Sequence, residues 1–313
     1  MPLIGALDNI NSMAGAFSKN SFKKIATDLA AALSWFRTLG IEPRRTRVGA
    51  YHRDAELLVS AYEGMKTEVL ASEFPIFLNM FFEVHELIFI HKSMAGRYDN
   101  EVRAHAKHYS AGPRTYLEEN PNNSSNRARN IGFELALMAT LARSGIDLDF
   151  STEADVGATF ANRRFMFECK RPQTITATAA CVKDALKQLD RRYQTTARTR
   201  SIGIIALDIT KAVSPAGILV PVDPDTGIDW LMSAQLNDFI EEFQSVWENP
   251  KSHKTVGTLL RLRQTNSVET EANTSLIYGE QFVLITTKMA GVLDADAAEA
   301  LVNEVWKGML SAV

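Results

Sequence analysis

The chain has 313 residues, of which 46% are hydrophobic, 23% charged and 9% aromatic, a composition that builds a large folded core and excludes a disordered tail or a collagen-like repeat. With 34 Lys and Arg against 37 Asp and Glu, the formal net charge of −3 argues, as an average, against a nucleic-acid partner, because phosphate binders are usually basic. Two cysteines, Cys169 and Cys181, exclude a disulfide framework and a four-cysteine zinc site, and the opening residues lack a signal-peptide pattern, so a cytoplasmic location is expected.

From Ser21 to about Ser110 the pattern is helical, beginning with FKKIATDLAAALSWFRTL, which Gly40 closes, and continuing in periodic runs after Asp54 and Pro75. The most apolar stretch, Phe74 to Ile90, is interrupted by Pro75, Asn79, Glu83, His85 and Glu86. It is expected as a buried helix rather than a bilayer span, with no membrane partner. His85 and His91 are expected in or near the core. Ala111 to Asn126 concentrates Pro, Asn, Ser and Gly and marks a boundary. The expected organisation is a helical N-terminal region at 1–110, a linker or loop at 111–126, and an α/β domain at 127–313.

After the loop, Ser125 is placed to cap a helix with the apolar stripe Ile131, Leu135, Met138 and Ala142, which Gly145 stops; Glu134 lies beside that stripe. A short strand near IDLDF follows, then ADVGATFA, a turn near Asn162 and Arg163, and RRFMFECK, read as an antiparallel hairpin. A helix from about Ala177 to Thr195 leads to the strand SIGIIALDI. Further strands are expected around Gly217 to Val220, Val256 to Arg263 and Gln281 to Thr286, with helices around Ile228 to Trp247 and Ala295 to Leu310.

The hairpin carries the chemistry. A two-residue turn at Asn162 and Arg163 pairs Phe160 with Phe165, Ala158 with Phe167 and Val156 with Cys169, so both apolar sets share one face. That register sets Asp155 opposite Lys170 and Glu168 opposite Gly157, and the charges converge on the other face. A one-residue slip would scatter both sets. Two carboxylates about 4 Å apart repel by roughly 4 kcal/mol at an effective dielectric near 20. With Glu134 turned inward, three carboxylates meet one lysine, and a hard divalent cation such as Mg²⁺ is the natural neutraliser. Such an ion activates a bound water and stabilises phosphoryl charge, which is equipment for phosphodiester hydrolysis.

These residues resemble the PD-(D/E)XK nuclease superfamily, whose restriction-endonuclease-like fold has an α-β-β-β-α-β core with a mixed sheet. The resemblance covers roughly Ser125 to Thr210 and rests on a helix glutamate (Glu134), a strand aspartate (Asp155) and Glu-x-Lys on the next strand (Glu168, Lys170). It implies metal ligation by Glu134, Asp155, Glu168 and the main-chain carbonyl of Cys169, with Mg²⁺ as cofactor and Mn²⁺ as a substitute. Lys170 would assist the attacking water. Some members carry a Gln on the second core helix, which implies a site role for Gln188. Tyr193 fits the accompanying tyrosine position less well, one residue beyond the family spacing.

Between Ala161 and Arg200 ten Lys and Arg stand against three Asp and Glu, a local charge of +7 inside a chain of −3. Arg164, Arg171, Lys183, Lys187, Arg191 and Arg192, extended by Arg127 and Arg129, are the expected nucleic-acid contacts. The expected function is divalent-metal-dependent phosphodiester hydrolysis, as a DNA endonuclease of restriction, defence or repair type. Recognition, regulation or homodimer formation falls to the N-terminal helices. The alternative is a catalytically silent nuclease-like module that binds nucleic acid or protein, with the acidic cluster purely structural.

Overall fold

The computed structural model describes residues 22–64, 80–115, 126–195, 201–214, 220–222, 227–248, 254–269, 274–287 and 292–310, with 13–14 and a few positions between 66 and 119. After β1 (Met13–Ala14), the chain forms α1 (Phe22–Thr38), α2 (Arg47–Glu63), α3 (Phe81–Met94) and α4 (Asp99–Ser110). Then come α5 (Arg127–Arg143), β2 (Asp147–Leu148), β3 (Val156–Phe160), β4 (Arg163–Lys170), α6 (Thr178–Thr195) and β5 (Ser201–Asp208). The remainder is α7 (Thr210–Val213), β6 (Val220–Val222), α8 (Ile228–Glu242), α9 (Gln244–Glu248), β7 (Thr255–Glu269), β8 (Thr274–Thr286) and α10 (Val292–Leu310).

The protein is α/β, built on one mixed sheet in the order β1-β8-β7-β5-β4-β3-β2, with β6 also paired to β7. β2, β3 and β4 form an antiparallel meander, β5 joins β4 and β7 in parallel, and β7 and β8 form a long antiparallel hairpin. β5 is buried along its whole length, as expected of a central parallel strand covered on both faces. Along β4 the side chains alternate: Phe165, Phe167 and Cys169 enter one core, and Met166 enters the other against Val182 and Leu189 of α6.

The first core does not divide at 111–126. Leu29, Phe36, Tyr51, Leu87 and Tyr109 from the N-terminal helices pack in one apolar cluster with Phe133 of α5 and Phe165, Ile204 and Leu259 of the sheet. α3 is buried on nearly every side, as its apolar sequence requires, and among the described residues no helix is long and apolar enough to cross a membrane.

Three sequence expectations are corrected. The hairpin turn is Ala161–Asn162, both at positive φ (48° and 57°), the conformation of the tight turns that match strand twist. The register is therefore Phe160↔Arg163, Ala158↔Phe165 and Val156↔Phe167, two residues from the expected one. A shift of two keeps side-chain parity, so the faces are unchanged. The helix expected across Ile228 to Trp247 breaks at Phe243 into α8 and α9, and β7 and β8 run longer than expected. Ser125 and positions 217–219 lie outside the described residues.

Candidate active site

Continuing the β3–β4 register places Asp155, one residue before β3, level with Glu168. The Cys169 N–H donates to Asp155 Oδ2 at 2.8 Å, which pins that carboxylate to β4. Lys170 Nζ lies 3.7 Å from Asp155 Oδ2 and 3.7 Å from Glu168 Oε2, and donates to the Cys169 carbonyl at 3.2 Å. Three hard oxygens thus surround one ammonium. From α6, Arg192 Nε donates to Glu168 Oε1, and its other nitrogen approaches Asp155 Oδ1 at 4.0 Å. Glu168 is buried, and its Oε2 makes no hydrogen bond.

Glu134 approaches from α5. Its partner in closest contact is His105 of α4, whose Nε2 lies 3.6 Å from Glu134 Oε2. Burial, then the negative charge of Asp155, pushes the Glu134 carboxyl up to about 8, with Lys170 only partly opposing. Burial and Asp155 likewise raise Glu168 to about 7 against the pull of Arg192 and Lys170. Glu134 and Asp155 share a cavity of about 240 Å³ with His105, Met138, Leu148, Phe150, Thr152 and Gly157. The loop between β2 and β3 forms its lid: Asp149 N–H bonds to the Gly157 carbonyl, and a Cβ at Gly157 would come within 2.3 Å of Asp149 O and Thr152 Cγ2. Only glycine permits that approach.

The expected ligands are therefore gathered but not arranged as a closed coordination shell. Among the described residues no group of three or more His, Cys, Asp and Glu side chains converges in metal-holding geometry. Lys170 and Arg192 stand among the carboxylates instead. The donor set still fits a hard divalent ion: two carboxylates and a carbonyl face one cationic nitrogen, a buried oxygen of Glu168 accepts no hydrogen bond, and Glu134 and Glu168 hold protons more tightly than usual.

Gln188 lies half-buried on α6, one turn before Arg192, with Oε1 buried and unbonded. Tyr193 turns away into the second core, where its hydroxyl meets Thr255 Oγ1 at 3.1 Å; it serves packing. Cys169 is buried with its thiol pushed well up by burial, whereas Cys181 is only half-buried.

The expected nucleic-acid contacts separate. Arg127, Lys183, Lys187 and Arg191 are exposed, the last three spaced four residues apart along α6 on one face. Arg129 and Arg171 are corrected: both are buried, Arg129 on Glu83 at 3.0 Å and Arg171 on Glu119 at 3.2 Å, so neither reaches a phosphate. Arg164 is held by Asp149 and Ser151, and Arg192 is turned into the acidic cluster. Sequence reasoning missed His105, which sits on an N-terminal helix with no local spacing to tie it to Glu134. No family model, curated protein sequence or solved structure matches this chain.

Proposed function

We propose that the chain is a divalent-metal-dependent nuclease that hydrolyses phosphodiester bonds in DNA, acting as an endonuclease in the cytoplasm. The single observation that carries this reading is the set of three oxygens, from Asp155, Glu168 and the Cys169 carbonyl, around Lys170 Nζ. The order α5-β2-β3-β4-α6-β5 supports the finer fold reading, a restriction-endonuclease-like core, and the exposed stripe Lys183, Lys187 and Arg191 supports a phosphate-bearing partner.

Asp155, Glu168 and the Cys169 carbonyl would hold Mg²⁺, or Mn²⁺ in its place, with Glu134 completing the set from α5. The ion would supply an acidified water and charge stabilisation at a phosphoryl oxygen. Lys170, on a flexible stem, would withdraw its ammonium from the carboxylates and orient the attacking hydroxide. Arg192 would keep Glu168 ionised, and Gln188 would offer its unbonded amide oxygen beside them.

The Glu168–Arg192 and Lys170 pairs favour a second reading, in which protein cations neutralise the cluster permanently and the fold only binds nucleic acid or protein. Titration calorimetry with Mn²⁺ separates the two. Binding to the wild-type protein, lost in an Asp155→Ala, Glu168→Ala variant, is expected; no heat with the wild type removes the metal site. In a plasmid-nicking assay with Mg²⁺, Lys170→Ala is expected to lose about 10²-fold in rate or more. Metal-independent DNA binding without nicking would establish the silent module.

A further inference from the structure

The cavity beside Asp155 has a wall that hydrolysis of a phosphodiester does not need. Phe150, in the loop between β2 and β3, lines it and remains 38% exposed, one of the few large apolar side chains so exposed among the described residues. The loop that carries it is rigidly built. Asp149 accepts from the Ser151 N–H and hydroxyl at 2.9 and 2.6 Å, Arg164 clamps Asp149 and Ser151, and the loop rests on Gly157. Tyr98 backs Phe150 with ring centroids 5.5 Å apart, and the exposed Arg97 lies 5.3 Å over the Tyr98 ring. An aromatic ring held open to solvent on a fixed loop is the arrangement that stacks nucleobases in single-strand binders.

The inside of the cavity selects the occupant. Its polar lining consists of Glu134, Asp149, Asp155, Thr152 and His105, whose Nδ1 is buried without a hydrogen-bond partner, and its apolar lining includes Met138 and Leu148. The Asp155 carboxylate repels a phosphate, and it and the Glu134 carboxyl oxygens accept hydrogen bonds from ring N–H and amino groups. About 240 Å³ takes one planar ring system and excludes a duplex. The geometry points to this recess as a pocket for a nucleobase lifted out of the stack beside the scissile bond, stacked on Phe150, so that the preferred substrate is single-stranded or frayed DNA rather than intact duplex. This rests on the nuclease reading for its setting, but its test does not depend on cleavage.

Binding is measured by fluorescence anisotropy in EDTA, with a fluorescein-labelled oligodeoxynucleotide offered single-stranded and annealed to its complement. The wild-type protein is expected to prefer the single strand. Phe150→Ala and Phe150→Leu should each weaken single-strand binding about tenfold and leave duplex binding unchanged, while Phe150→Trp retains it. The leucine variant keeps the apolar volume and removes only the π-face, so a loss in both variants reports stacking rather than loop collapse. Placing 2-aminopurine in the single strand should give fluorescence quenching with the wild type that disappears in Phe150→Leu. Equal single-strand affinity for wild type and Phe150→Ala, or a wild-type preference for duplex, overturns the pocket. Phe150-dependent binding in a protein that never cleaves with Mg²⁺ keeps the pocket and removes the nuclease; Mg²⁺-dependent cleavage with Phe150 irrelevant does the reverse.

Discussion

Two clusters of ionised side chains lie on opposite sides of β4, and they obey opposite electrostatic rules. One is a chain of ten charges, buried except at its half-buried end Glu280, that runs Arg47, Glu83, Arg129, Glu119, Arg171, Asp208, Arg263, Glu86, Arg261, Glu280, five guanidinium groups alternating with five carboxylates. The other is the candidate site, where Asp155 and Glu168 share Lys170 and Arg192, and Glu134 lies against His105. Burial raises a carboxyl in both, yet in the first the arginines outweigh it: Arg129 and Arg47 hold Glu83 low, and Arg263, Arg171 and Arg261 hold Asp208 well below the carboxylate range. In the second, Glu168 rises to about 7 and Glu134 to about 8. Charge matching, not depth, separates the ion network from a cluster whose glutamates hold their protons.

The largest effect is expected from unmatching the buried chain. Asp208 accepts from Arg263 at 2.7 Å and from the Thr210 N–H at 3.1 Å, and three arginines share its charge. Asp208→Asn strands buried guanidinium charge and should cost about 3–5 kcal/mol in urea unfolding. A loss under ~1 kcal/mol would show that the alternation of charge is incidental.

At the site the opposite substitution should help. The Glu134 carboxyl is raised from 4.5 to about 8, so the folded chain keeps a proton that the unfolded chain releases. Its contribution to stability is complete below pH 4.5 and is lost as pH rises through about 8. Glu134→Gln should flatten that decline and leave the variant more stable than wild type at pH 9, as read by thermal melting across pH. A slope unchanged by the substitution assigns the pH dependence to another group. Under the metal reading, Mn²⁺ at about 100 times its Kd should restore about 2.7 kcal/mol to the wild type at high pH and do nothing to the Asp208 side of β4.

Much of this was legible in the residues, for reasons that also explain the gaps. The period-two pattern of β3 and β4 determines which face each side chain takes, and Gly145 at φ 73° ends α5 where a left-handed residue is needed. Hydrophobic alternation is blind to a shift of two residues, so Asp155 was expected opposite Lys170 and stands level with Glu168; the backbone of Ala161–Asn162 decides it. Charge counting is blind to partners distant in sequence. Arg129 and Arg171 read as surface cations, although Glu83 lies 46 residues from the first and Glu119 lies 52 from the second. β7 was expected to end near Arg263 and runs on to Glu269, with Arg261, Arg263, Gln264 and Asn266 buried.

The smallest effect on stability, and the most selective on binding, is expected along α6. Lys183, Lys187 and Arg191 are exposed and carry no buried partner among the described residues, so changing each to Gln should move stability by no more than about 0.5 kcal/mol. If the stripe follows a phosphate backbone, each substitution should also reduce the slope of log affinity against log salt by about 0.7 for a single strand and 0.9 for a duplex. Arg171→Gln is the control from the other class: it should lower stability through Glu119 and Asp208 and leave the salt slope untouched. A salt slope that responds to Arg171 and ignores Arg191 would reverse the division between the two clusters, because the buried arginines would then be the ones that meet nucleic acid.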